Sequence, residues 1–107
     1  MDDIVRATEA ETSLRRVNEL IIEVARDRFE SLEGHVVCEC SGARCTDVLP
    51  LTLEEYERVR SAGRRFVLVR GHEVEAIEHV VESYDGYVVA EKHGQAGRIA
   101  ELNDPRR

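Results

Sequence analysis

The chain has 107 residues, and its 22 acidic and 15 basic side chains give a formal net charge of -7. One domain is expected, and the charge argues against non-specific nucleic-acid or anionic-membrane binding, which needs surplus Lys and Arg to displace counterions from phosphates. Only Phe29, Tyr56, Phe66, Tyr84 and Tyr87 are aromatic and Trp is absent, so the core falls to Val, Leu, Ile and Ala, where a bound metal would add its binding energy to folding.

In chain order, residues 1–11 are expected to fray, and Met1-Asp2-Asp3 leads into no apolar leader segment. From Thr12 or Ser13, each a suitable N-cap, the spacing predicts a helix to about Glu33, with Gly34 as its stop. Leu14, Val17, Leu20, Ile21, Val24, Ala25, Phe29 and Leu32 recur in steps of three and four and predict one apolar face. Arg15, Arg16, Glu19, Glu23, Arg26, Asp27 and Glu30 are assigned to the solvent side. Such a helix either covers the core or serves a protein partner or self-association.

His35 to Cys40 reads as a short strand and Ser41-Gly42-Ala43 as a turn. Thr52 with Glu55 forms a capping box and predicts a helix with Leu53, Tyr56 and Val59 or Arg60 inside, ended by Gly63. Arg65 to Arg70 is a predicted strand, followed by a Gly71-His72-Glu73 loop. Between 76 and 92 two patterns compete. Ile77, Val80, Val81 and Tyr84 keep helical spacing, whereas Asp85-Gly86 between two β-branched runs predicts a hairpin with strands near 77–84 and 87–92. The hairpin is preferred over a helix at 74–83. Residues 94–107 read as a flexible tail. The expectation is a single α+β domain over 12–93: a long N-terminal helix packed on a small, mostly antiparallel sheet, with a second short helix and a zinc-stabilised loop.

All three cysteines, Cys38, Cys40 and Cys45, fall within one short segment with the spacing C-x-C-x4-C. Residues 38 and 40 of an extended segment point the same way, and Gly42 permits a reversal that returns Cys45 over that face. Zinc takes thiolate sulfur in a tetrahedral set of four ligands. Arg44, inside the loop, would soften the excess negative charge. Buried inert cysteines and redox or catalytic thiols are the competing readings; an iron–sulfur cluster normally asks for four cysteines. Candidates for the fourth position are His35, His72, His79, His93, Glu39 and water. His72 is preferred, because a loop just after a strand reaches a neighbouring strand end, with Glu73 as a partner for its ring. An open site of three thiolates and a water, with Glu39 or Glu73 as general base, would suit a hydrolase. However, His72-Glu73 is followed by Val74-Glu75-Ala76, so there is no H-E-x-x-H, and there is no deaminase signature or phosphate loop.

Six blocks, Arg15 to Ile21, Val37 to Cys45, Leu51 to Arg60, Arg65 to Glu73, Glu78 to Val81 and Tyr87 to Lys92, together resemble a pattern. It runs R-x-V-N-x-x-I, V-C-E-C-x4-C, L-T-x-x-E-Y-E-x-V-R, R-F-x-x-V-x-G-H-E, E-x-V-V and Y-x-V-V-x-K. The pattern is that of uncharacterised small, mostly actinobacterial proteins. Arg70 stands where that pattern has proline, and Ala90 where it has valine; neither is a proposed ligand. The resemblance implies that Cys38, Cys40, Cys45 and His72 belong to one module, and it brings no activity with it.

The sequence thus predicts a small zinc (Zn2+) protein acting as a non-catalytic interaction or regulatory module. A thiol–zinc redox switch is the alternative, and a zinc hydrolase with an open site comes after it. An odd cysteine count and the lack of long apolar runs point to the cytoplasm and to no membrane partner. The basic group Arg58, Arg60, Arg64, Arg65 and Arg70 is read as a solvated face paired with Glu54, Glu55 and Glu57, which leaves nucleic acid disfavoured.

Overall fold

The structure, a computed structural model, describes residues 2–28, 35–42 and 45–106. The expectations placed on Phe29, Glu30, Leu32, Glu33, Gly34, Ala43 and Arg44 lie outside the described residues. Helix α1 (Asp2–Arg28) precedes strands β1 (Val36–Val37) and β2 (Val48–Leu49), helix α2 (Leu53–Arg60), strands β3 (Arg65–Leu68), β4 (Glu78–Tyr84) and β5 (Tyr87–Lys92), and helix α3 (Gly94–Leu102). β1 and β2 pair antiparallel as one small sheet. The other is antiparallel with order β3-β5-β4. The result is the expected α+β class with a long first helix.

The preferred hairpin is present. Tyr84 pairs with Tyr87, and Gly86 takes φ +90°, the left-handed conformation that favours glycine in such a turn. The helix pattern at 74–83 yields to strand because residues 78–84 pair along β5 through a bulge near Val80 and Glu82. The capping box also forms: Thr52 Oγ1 accepts from Glu55 N at 3.1 Å, and Glu55 Oε1 accepts from Thr52 N at 2.8 Å. α2 ends at Arg60, with Ser61 rather than Gly63 as its cap.

Three expectations are corrected. First, α1 begins at Asp2. Residues 2–11 do not fray, because Thr8 and Glu11 are fully buried and packing sustains helix where propensity alone is marginal. Second, α1 is rotated relative to the predicted apolar stripe. Its buried side carries Thr8, Glu11, Arg15, Asn18, Ile22 and Ala25, while Val17, Leu20 and Val24 are 42, 58 and 53 % exposed. Specific polar partners on the inner side decide this rotation: Arg15 donates to the carbonyls of Gly63 and Ala100, both at 2.7 Å. Third, residues 94–102 form α3 in the segment read as a tail. Its buried positions are the small Ala96, Gly97 and Ala100. A Cβ at Gly97 would come to 3.0 Å from the Lys92 carbonyl and to 2.5 Å from the Arg64 guanidinium, the mobile end of a long side chain.

The chain end is tied down as well. Arg106 bridges α1 and α2, with Nε and Nη2 on Glu19 at 2.6 and 2.8 Å and Nη1 and Nη2 on Glu57 at 3.0 and 2.8 Å. Arg106→Ala is expected to cost about 1 kcal/mol, the upper end for a partly exposed ion-pair network. Urea unfolding checks this, and the deficit should shrink in high salt.

Between α1 and the larger sheet sits a charged core. Lys92 of β5 donates to Glu11 of α1 and to Glu78 of β4, and all three side chains are fully buried. Two cations approach the Phe66 ring, with Lys92 Nζ 4.2 Å and the Arg15 guanidinium carbon 4.4 Å from its centroid. Such contacts strengthen when desolvated.

Candidate metal centre

β1 is shorter than the predicted strand, for a reason that builds the site. Val36 and Val37 pair with Leu49 and Val48, and Cys38 N donates to Asp47 O at 2.9 Å. The chain then leaves β2, and Glu39 N donates to Val67 O at 2.8 Å, joining the segment to the edge of β3. Cys38 and Cys40 gather at the cysteine cluster, while the intervening Glu39 side chain is buried among Asn18, Tyr56 and Val67, as alternation in an extended segment requires. Cys45 N donates to Gly42 O at 3.1 Å, closing the turn that returns the third thiol.

The fourth group arrives from the end of β3. Val69 N donates to Cys38 Sγ at 3.2 Å, and a turn closed by His72 N to Val69 O at 2.9 Å presents the imidazole. Gly71 in that turn has φ +92°, which an L side chain rarely adopts. His72 Nδ1 lies 3.6 Å from Cys38 Sγ and 3.6 Å from Cys45 Sγ. The donor atoms of Cys38, Cys40, Cys45 and His72 all lie within 4.8 Å of one another. These four residues are therefore positioned to bind a metal ion.

The donor set and spacing fit a tetrahedral site. Metal–sulfur bonds of about 2.3 Å and metal–nitrogen bonds of about 2.05 Å put neighbouring S and N donors about 3.6 Å apart, the separation found from His72 Nδ1 to Cys38 Sγ and to Cys45 Sγ, two of the three sulfur–imidazole edges. Burial pushes the Cys38 thiol up, opposed by the Val69 N–H and reinforced by Cys40 and Cys45. Burial also raises Cys40, opposed by the Gly42 N–H. Thiols in this setting stay protonated until a cation compensates for thiolate charge.

The remaining candidates fall elsewhere. His35 is exposed before β1. His79 and His93 are exposed and stack on each other with centroids 5.8 Å apart. Glu39 is neither ligand nor general base: its carboxylate accepts from Asn18 Nδ2 at 2.8 Å, Tyr56 Oη at 2.5 Å and Val67 N at 3.0 Å. Glu73, expected beside the imidazole, accepts from the Gly71 N–H at 3.1 Å. Sequence reasoning overlooked Asn18; its signal was an amide in the middle of an otherwise regular helix.

Most of the basic group is paired internally with acids other than Glu54, Glu55 and Glu57, while Arg58 lies over the Tyr84 ring and, after the Thr52 N–H, helps hold the Glu55 carboxyl down. Arg60 is buried on Asp104 and near Glu19, Arg64 pairs with Glu101, and Arg65 with Glu82 and Glu91. Arg70 donates to Tyr84 O at 2.7 Å. Among the described residues no helix is long and apolar enough to cross a membrane. The chain matches no family model, no curated protein and no solved structure.

Proposed function

We propose that Cys38, Cys40, Cys45 and His72 close one tetrahedral zinc site, and that the protein is a small cytoplasmic zinc protein acting as a non-catalytic interaction or regulatory module. The pair of 3.6 Å sulfur–imidazole edges carries this reading. Four protein donors leave no open coordination position, and catalytic zinc requires one. The carboxylates that a hydrolase would use, Glu39 and Glu73, are engaged elsewhere. The outward stripe of Val17, Leu20 and Val24 on α1 supports a protein partner or self-association at that face.

Metal analysis of the purified protein should find one zinc per chain. His72→Ala is expected to weaken zinc binding at least tenfold in chelator competition. Retention at unchanged affinity would favour the open three-thiolate site.

One observation favours a redox switch as the second reading. Cys45 is partly exposed, while Cys38 and Cys40 are buried. In that reading hydrogen peroxide takes two electrons from two thiolates and two protons from solvent. It leaves a disulfide, free zinc and two waters. Zinc release that tracks peroxide dose supports it; full retention of zinc after oxidation of exposed thiols removes it.

A further inference from the structure

Glu39 is a fully buried carboxylate with no direct ion pair among the described residues, lying between two cysteines of the site. Its three hydrogen-bond donors come from three elements: Asn18 from α1, Tyr56 from α2 and Val67 from β3. Its own N–H donates to Val67 O, so backbone and side chain together bond both polar groups of Val67 and occupy the β3 edge. Asn18 grips the same segment again. Its Oδ1 accepts from Val37 N and its Nδ2 donates to Val37 O, both at 2.8 Å.

We infer that Glu39 is the positioning residue of the metal centre: it holds Cys38 and Cys40 in place through Asn18, Tyr56 and Val67, and thereby couples metal occupancy to the docking of α1. The inference rests on the proposed metal site and adds a determinant of its affinity. Cys38 and Cys40 flank Glu39 on one extended backbone, so any rotation of that segment moves the sulfurs and the carboxylate together. Three elements clamp the carboxylate. The clamp therefore biases the segment toward the binding orientation before the ion arrives, and the metal completes the restraint. In return, a bound metal restrains the segment that Asn18 grips, which restrains α1. A carboxylate suits this role because it accepts at both oxygens. Glutamine has one acceptor oxygen and would turn an N–H2 group toward one of the three donors.

The test uses the full chain with zinc or cobalt(II) alone as probe. Glu39→Gln and Tyr56→Phe are expected to bind zinc about 10- to 100-fold more weakly in chelator competition, the range for loss of a group that orients a metal ligand. Their cobalt forms should show altered thiolate-to-metal and ligand-field absorption. Ile77→Ala is the control: Ile77 is buried and lies outside the metal cluster. It should lower stability while leaving affinity and cobalt spectrum as in the unaltered protein. In hydrogen exchange, zinc should slow the amides around Asn18 in the unaltered protein, and Asn18→Ala should weaken that response. Tyr56→Phe keeps the ring and loses one hydrogen bond, so it decides the matter if Glu39→Gln fails to fold. Unchanged affinity and spectrum in Tyr56→Phe, and in Glu39→Gln if it folds, overturn the positioning role and leave the metal site standing. An unaltered protein that binds no zinc overturns both.

Discussion

Stripping zinc from the loaded protein is expected to lower its unfolding midpoint by roughly 15 °C or more. Free ligand at 1,000 times its dissociation constant stabilises the folded state by about 4 kcal/mol. In a domain of this size each kcal/mol moves the midpoint by about 4–8 °C. The loss should begin locally. Cys38, Cys40 and Cys45 meet His72 at the end of β3, so a bound metal would pin the β1–β2 segment to the larger sheet. Without it, hydrogen exchange should speed up first in residues 36–49 and 69–72, while β5 amides stay protected. Cys40→Ser should reproduce the chelated state and show no response to added zinc. Because burial holds the Cys38 and Cys40 thiols protonated without metal, zinc binding should release protons, and affinity should fall in acid. Thermal scans with zinc and with chelator give the decisive comparison; identical midpoints would show that no stabilising metal is bound.

Lys92→Met should destabilise the protein by about 3–5 kcal/mol, the cost of removing one partner from a buried ion pair. The substitution would leave Glu11 and Glu78 facing each other without a cation. Denaturant midpoints measure the loss.

The same cluster sets a pH dependence. Burial raises the Glu11 carboxyl to about 8, against the pull of Lys92 and with the help of Glu78. Glu11 Oε2 also lacks a hydrogen-bond partner among the described residues, so ionisation would leave an unsatisfied charged oxygen. The folded state thus keeps a proton that the unfolded chain releases near its ordinary value of 4.5. Where the folded state binds more protons, stability falls as pH rises. The Glu11 contribution is therefore complete below about pH 4.5 and is lost as pH rises toward 8. Urea unfolding of the zinc-loaded protein at pH 6 and pH 8.5 should show the decline, and Glu11→Gln should flatten it. An equal slope in both proteins would remove Glu11 as the cause.

Where chemistry is local, the sequence was sufficient. The capping box needs only Thr52 and Glu55 at their spacing, and the β4–β5 hairpin only Asp85-Gly86 between β-branched runs. The C-x-C-x4-C spacing carries three converging thiols within one short loop. Even His72 was legible, because a glycine-containing loop after a strand is a natural place from which to reach a neighbouring strand end.

Tertiary structure decided what depends on distant partners. No periodicity in α1 signals that Glu11 will meet Lys92, that Arg15 will cap carbonyls after α2 and in α3, or that Asn18 will hold Glu39. Hydropathy ranks those residues as solvent-facing, and the predicted apolar stripe was consequently turned outward. For the same reason α3, whose contacts rest on small side chains, resembled a tail. A buried polar group is stable only with partners that satisfy it, and here those partners lie far along the chain. The sequence alone brought Cys38, Cys40, Cys45 and His72 together as candidate metal ligands. The fold decided which face of α1 is core, and made Glu39 the link between that core and the site.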